Sequence, residues 1–258
     1  MPASDFLLRL FGSATPTGRR LAFDRDPAAI YAIGDVHGCL DLLLRLEAAI
    51  VADAETIPGD VWLLLLGDVI DRGPNPAGVI EHLLAPPPAR FTRYCLMGNH
   101  EDMMLDFLAR PSPAAPWLDN GGYETLRSYG VPDTALYARN LGDLALDAIP
   151  SEHAEFIAEL PVAIETPGFL FVHAGVRPGT PIASQSRQDL LWYRDNYASD
   201  FGGFPKPIAH GHTPRRDPLV LPRRIALDTG ACFTGRLTAA RLVPGRPPVL
   251  ISEAVRHG

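Results

Sequence analysis

Apolar residues along this chain fall into blocks of two kinds. Ile30 to Ile33, Val61 to Leu66 and Tyr94 to Met97 are short and continuously apolar. Runs of that length and uniformity suit strands buried on both faces. Between them lie stretches with helical period. Leu42, Leu43, Leu46 and Ile50 mark one over Leu40 to Asp53. A second runs from Pro76 to Leu84 and is closed by Pro86-Pro87-Pro88. A third runs from Glu101 to Ala109 and stops near Pro111. This repetition of strand, loop and helix predicts βαβ units, a largely parallel sheet and an α/β fold.

The rhythm breaks over residues 111–161. Trp117, the run Asn120-Gly121-Gly122-Tyr123, and helical segments near Thr125 to Tyr129 and Glu152 to Leu160 predict a helical insertion or cap. From Gly168 the texture is β again. Phe169 to Val172, Ile208-Ala209 and Ile225 to Leu227 read as strands, and Arg236 to Val243 with Val249 to Val255 as a closing antiparallel pair around Pro244-Gly245. Residues 1–28 read as a flexible lead-in, with an apolar cluster from Ser4 to Phe11 as a frayed tail. No linker-like stretch divides the rest, so residues 29–258 are expected to form a single domain.

Composition narrows the classes. The chain has 258 residues, 47% of them hydrophobic and 21% charged, which suits one large α/β domain and not a disordered chain. A net charge of −7 disfavours a nucleic-acid partner, so any phosphate affinity must be local. Lys206 is the only Lys; the Arg-rich balance is read as compositional bias. Cys39, Cys95 and Cys232 are odd in number and widely spaced, which predicts a reducing, cytoplasmic setting without disulfides. No apolar run approaches the ~20 residues of a membrane span, and the Ser4 to Phe11 cluster lacks the basic start and cleavage site of a signal peptide.

Five short motifs share one design: GDVHG (34–38), GDVIDRG (67–73), GNHE (98–101), HAG (173–175) and HGHT (210–213). Each follows an expected strand and presents Asp, Asn or His in or beside a glycine turn. Ligands of open α/β sheets bind outside the carboxyl ends of the strands, so the five loops are expected to converge. Taken singly, each is an ordinary turn. Together, carboxylate oxygens and imidazole nitrogens suit divalent ions such as Mn, Fe and Zn. Asp35 and His37, one residue apart, can aim at one ion; Asp68 can bridge two; Asn99, His173 and His212 can complete the second. His100 is a candidate to protonate a leaving oxygen, Asp71 to hold its tautomer, and Arg72 to bind phosphate through its planar fork. His210 competes with His212 for the ligand role. Arg177 and Asp228 are weighed as a substrate contact and a ligand partner, each against a plain structural role. Cys39 is weighed as a helix-start residue or an oxidation-sensitive thiol, and Asn120-Gly121-Gly122 as a substrate-side loop or a turn.

In this order, GDVHG, GDVIDRG and GNHE resemble the signature of the phosphoprotein phosphatase (PPP) family within the calcineurin-like metallophosphoesterases. HAG and HGHT are similar to that family's later metal-ligand loops. The resemblance covers about residues 30–243. It implies an α/β/β/α sandwich with a dinuclear centre, commonly loaded with Mn in bacterial members, with Fe, Zn, Ni, Co or Mg as alternatives. It assigns Asp35, His37 and Asp68 to the first ion, and Asp68, Asn99, His173 and His212 to the second. His100 and Asp71 become the acid pair. Arg72 binds phosphate, and Arg194, in Leu190-Leu191-Trp192-Tyr193-Arg194, resembles a second phosphate-binding Arg. The chain's shortness and its DTGA run (228–231) look like bacterial members, which include protein phosphatases and symmetrical diadenosine tetraphosphate hydrolases.

The expected activity is that of a serine/threonine protein phosphatase, acting by direct attack of metal-activated hydroxide on a phosphorylated protein or small phosphoester. The alternatives are a dinucleoside polyphosphate hydrolase with its base pocket in the insertion, and a non-catalytic metal- or phosphate-binding regulator. No Cys-x5-Arg phosphatase loop is read around the three Cys, and no GxxxxGK[ST] loop is present. No membrane partner is expected, and a monomer is favoured.

Overall fold

The apolar runs from Ile30 and Val61 become strands with both faces covered, whereas the run expected at Tyr94 to Met97 is corrected to a half-exposed strand over Phe91–Cys95. The computed structural model of the protein describes residues 18–194 and 200–255. In chain order these form β1 (Arg20–Ala22), β2 (Ala29–Ile33), α1 (Leu40–Ala54), β3 (Val61–Leu65), α2 (Pro76–Leu84), β4 (Phe91–Cys95) and α3 (Asn99–Ala109). The insertion carries a helical turn (Leu118–Gly122) kinked at Gly121, then α4 (Tyr123–Ser128), α5 (Leu141–Ala148) and α6 (Ser151–Ala158). Then come β5 (Ala163–Glu165), β6 (Leu170–Val172), α7 (Arg187–Trp192), β7 (Ile208–His210), β8 (Leu219–Leu221), β9 (Arg224–Ala226), α8 (Ala231–Thr234), β10 (Arg236–Leu242) and β11 (Val249–Ala254).

Two sheets result, in the orders β11-β10-β2-β3-β4 and β1-β5-β6-β7-β9-β8. Period-2 alternation sorts their residues between two cores. Ile30 and Ala32 of β2, Trp62 and Leu64 of β3, and Ala240 and Leu242 of β10 meet Ile164, Phe171, Ala209 and Ile225 of the facing sheet. The residues between them, Tyr31, Ile33, Leu63 and Leu65, turn outward to Leu42, Leu43, Leu46 and Ile50 of α1. The other sheet does likewise: Leu170 and Val172 share the helix-side core with Leu190 and Leu191. Helices therefore lie outside two packed sheets, a mixed α/β sandwich.

Helix α2 shows how the local sequence sets an element. Asn75 caps it by accepting the Gly78 N–H at 2.9 Å, and Pro76 opens the first turn. The insertion helices α4, α5 and α6 pack on α2 and α3, outside the five-stranded sheet.

Some expectations are corrected. The sheets are mixed: β2-β3-β4, β6-β7-β9 and β1-β5 pair in parallel, whereas β10-β11, β10-β2, β5-β6 and β8-β9 are antiparallel. Residues 18–28, expected in the lead-in, instead supply β1, whose backbone pairs in register with β5 from Arg20–Ala163 to Ala22–Glu165. The expected tail from Ser4 to Phe11 lies outside the described residues. No helix among the described residues is long and apolar enough to cross a membrane.

Candidate metal centre

Loops that leave the carboxyl ends of β2, β3, β4, β6, β7 and β9 meet at one place. Their backbones lock to each other: the His37 N–H donates to the Asp68 carbonyl at 2.9 Å, and the Gly211 N–H to the His173 carbonyl at 2.8 Å. The turns are tight. Among the described residues, His37, Asp68, Asp71, Arg72 and His212 are five of the six non-glycine residues with positive φ. Such strain persists where the surroundings over-determine it, and it concentrates at functional sites. Close approach also selects glycine: a Cβ at Gly98 would overlap the Asp68 carboxylate, and one at Gly211 that of Asp35.

Every ligand candidate is buried, and the donor atoms converge. The Nδ1 of His173 lies 2.8 Å from the Leu66 carbonyl, and that of His37 lies 2.9 Å from the Ile70 carbonyl. A carbonyl only accepts, so in the neutral rings Nδ1 carries the hydrogen and Nε2 presents a lone pair. The His173 Nε2 then faces Asn99 Oδ1 at 2.9 Å and His212 Nδ1 at 3.2 Å, with Asn99 Oδ1 and His212 Nδ1 2.7 Å apart. Asp68 Oδ2 sits 3.3 Å from His173 Nε2, 3.7 Å from His37 Nε2 and 3.8 Å from His100 Nε2. Two buried groups result, His37 with Asp68 and His100, and Asp68 with His173 and His212; Asp68 belongs to both. Asp35 is turned onto the opposite loop, where its carboxylate accepts the His212 N–H at 3.0 Å.

The electrostatics fit divalent cations. Burial and the neighbouring Asp228 and Asp68 charges push Asp35 well above the usual carboxylate range. Burial, then Asp68, pushes Asp228 up to about 6, against the Gly230 N–H that its carboxylate accepts. Burial opposes ionisation of Asp68 too, but it is paired with His173 and His100, whose pKa values it raises against their own burial, and their charges hold its carboxyl well below its ordinary value until a metal takes their place. Burial takes His37 down to about 3 and His212 to about 2, which keeps both imidazoles neutral, the form that binds metal. Lone pairs and carboxylates gathered this closely out of water need positive charge among them. The His and Asp groups suit a dinuclear metal site.

Around the donors stand the other candidates. The His100 Nδ1–H donates to Asp71 Oδ2 at 2.6 Å. Burial opposes a charge on His100, yet Asp68 and Asp71 raise its pKa above the ordinary value. Arg72 is half-buried, with a guanidinium nitrogen 2.8 Å from His37 Nε2 and its charge 5.6 Å from the centre of the exposed Phe233 ring. Arg194 is exposed and donates from Nε to His212 Nε2 at 3.1 Å. All ten sequence candidates thus come together.

The competing readings separate. His210 Nε2 accepts from Arg224 Nε at 2.9 Å, and its ring packs 5.6 Å from that of Phe201. Arg177 is ion-paired to Asp189 at 2.6 Å. Cys39 precedes α1 as its N-cap, and burial pushes its thiol up to about 11. Cys39 and Arg45 do stand at Cys-x5-Arg spacing, a correction to the sequence reading. Residues 40–54 are helical, however, so no phosphate-cradling loop lies between them.

Sequence reasoning passed over Glu101, Trp117 and Thr125. Glu101 is buried and accepts backbone N–H groups from Gly98, Asp68, Val69 and Ile70 at 2.8–3.2 Å. Burial, then the Asp68 charge, pushes its carboxyl up to about 7, against the Gly98 N–H and the His100 and His173 charges. Its place in GNHE was the available signal. Trp117 and Thr125 gave none, because their partner is Asp71, 46 and 54 residues away.

Comparison with known proteins agrees with this geometry. The family model described as calcineurin-like phosphoesterase matches residues 28–244. The chain is 29% identical over 218 residues to Serine/threonine-protein phosphatase 1 of Salmonella typhimurium, covering 83% of this chain and 91% of that one. It is 26% identical over 253 residues to the asymmetrical Bis(5'-nucleosyl)-tetraphosphatase PrpE of Halalkalibacterium halodurans, covering 87% and 97%. In fold it is similar to the crystal structure of a candidate diadenosine tetraphosphatase, with a TM-score of 0.65 at 23% identity, covering 93% of this chain and all of the other. A match across most of the chain, on loops that gather these donors, makes the protein a member of the calcineurin-like phosphoesterase family and a metal-dependent phosphatase.

Proposed function

We propose that the protein hydrolyses phosphoserine and phosphothreonine monoesters, with Asp35, His37 and Asp68 holding one divalent ion and Asp68, Asn99, His173 and His212 the other. Mn is the expected metal. A bound pair would polarise the phosphoryl oxygens and lower the pKa of water enough to supply the nucleophile near neutral pH. The chain's residues do the rest. Arg72 and Arg194, which edge the donors from opposite loops, orient the phosphoryl group through their planar forks. His100 delivers a proton to the departing oxygen, and Asp71 keeps Nδ1 protonated so that Nε2 faces the reacting atoms.

The built acid is the observation that carries this reading. An alkoxide from serine or threonine is a poor leaving group and needs a proton as it departs. A nucleotide expelled from a polyphosphate is a far better one and gains little from an acid. A His100–Asp71 pair buried beside the donors therefore matches an alkyl ester, and a non-catalytic regulator has no use for it. One observation favours the nucleotide reading: the exposed Phe233 ring beside Arg72 could stack on a base. Among the relatives, the PrpE proteins bear the asymmetrical name, not the symmetrical class.

The test is kcat/KM with Mn for a phosphothreonine peptide against diadenosine tetraphosphate. A preference of about a hundredfold for the peptide is expected, the scale on which sites separate unlike substrates. The reverse preference would overturn the protein-phosphatase reading. The shared position of Asp68 gives a second prediction. Asp68→Asn removes the charge common to both donor groups, so metal analysis after dialysis should find neither ion tightly held. Two retained ions would contradict the bridging assignment.

A further inference from the structure

The insertion does something besides lie over α2 and α3. It reaches back to the loop after β3 at three points. The Trp117 indole N–H lies 3.0 Å from both carboxylate oxygens of Asp71. The Thr125 hydroxyl donates to Asp71 Oδ1 at 2.5 Å while its oxygen accepts the Asp71 N–H at 3.0 Å. The Gly121 carbonyl accepts the Arg72 N–H at 3.3 Å. Trp117, Thr125 and Asp71 are all fully buried, and Asp71 and Arg72 have φ of 70° and 65°. A loop held in that conformation needs outside support, and these contacts provide it. A kink at Gly121, where φ is 112°, lets the chain make all three: Trp117 stands before it, the Gly121 carbonyl at it, and Thr125 in the helix that follows.

We infer that Trp117 and Thr125 are positioning residues for the leaving-group acid: by donating to the Asp71 carboxylate from the side of the insertion they fix its orientation, and through it the ring of His100. A carboxylate accepts about four hydrogen bonds. Here Thr125 takes Oδ1 and the Trp117 indole straddles both oxygens, so the carboxylate is held with Oδ2 aimed at His100 Nδ1. Without them the carboxylate is free to rotate and the ring loses its reference. Outer partners of this kind typically change activity by roughly 10–100-fold. The insertion would thus serve the chemistry from behind, whether or not it touches substrate. The inference rests on His100 being the acid, as proposed above.

The test uses the Mn-loaded full chain and two esters, a phosphoserine peptide and p-nitrophenyl phosphate, whose phenolate leaves without help. Thr125→Val keeps the side chain's shape and removes its hydroxyl; Trp117→Phe removes the indole N–H together with part of the buried ring. Each is expected to lose roughly tenfold or more in kcat on the peptide and less than about threefold on the aryl ester, with bound Mn unchanged. Thr125→Ser should restore the peptide rate. On a His100→Ala background, Thr125→Val should cost nothing further. A second readout needs no turnover: in protein loaded with diamagnetic Zn in place of Mn, the hydrogen-bonded His100 Nδ1 proton should give a downfield resonance that Thr125→Val shifts or broadens. If His100→Ala shows selective loss on the peptide but Thr125→Val and Trp117→Phe lose equally on both esters, or on neither, the inference fails alone. If His100→Ala itself loses equally on both, the acid reading fails and takes the inference with it.

Discussion

His100→Ala is expected to lower kcat on a phosphoserine peptide by about 10²–10⁴-fold, the range typical of general-acid catalysis, while leaving both ions bound. The separation of these two effects is the substance of the prediction. His100 lies 3.8 Å from Asp68 Oδ2, near enough to group geometrically with His37 and Asp68 as a third donor. Its Nδ1, however, is committed to Asp71 at 2.6 Å, and its backbone N–H to Asp68 Oδ1 at 3.0 Å. The backbone contact survives the substitution and keeps Asp68 in place. A ligand role predicts metal loss together with a fall on every substrate. An acid role predicts retained metal and a fall that shrinks as the leaving group becomes more acidic. Rates for an alkyl and a nitrophenyl ester, with metal content measured on the same samples, decide between them. Equal losses on the two esters would remove His100 from the acid role.

The strands most plainly legible in the sequence were β2 and β3, which are covered on both sides. Ile30 to Ile33 and Val61 to Leu66 read as buried because each of their faces meets a different core, one residue to the facing sheet and the next to the helices. The second sheet was harder. Five of its strands, β5 to β9, span three residues each, too few to show a period, and β1 carries only Leu21 as a large apolar residue. Those short strands are specified by pairing with neighbours distant in the chain, information that no local window contains. The same division holds at the centre. Asp, His and Asn after strands and beside glycines announce themselves by type and order. The positive φ of Asp68, Asp71 and Arg72 does not, because those residues rarely adopt it unaided. What enforces it, Glu101 from one side and the insertion from the other, appears only when the chain is folded.

Glu101→Ala carries the largest expected cost to stability. The carboxylate accepts from four backbone N–H groups, those of Gly98, Asp68, Val69 and Ile70. It ties the start of α3 to the loop after β3, and it sits in the first helical turn, where the helix dipole favours a negative charge. Removing it strands buried donors, each worth roughly 1–3 kcal/mol when unsatisfied. Some relaxation is expected, so a net loss of about 3–5 kcal/mol is the forecast, large against the usual range for single substitutions. Glu101→Gln should fall between, because it keeps one acceptor oxygen but turns an amide NH2 toward N–H groups that also donate. Denaturant unfolding of metal-free protein measures both: the midpoint should drop with the slope unchanged. Metal affinity should fall in step, since Asp68 would lose one of the contacts holding its left-handed backbone. An alanine variant within about 1 kcal/mol of the parent would mean that this loop is held by other contacts, and that the burial of Glu101 has another cause.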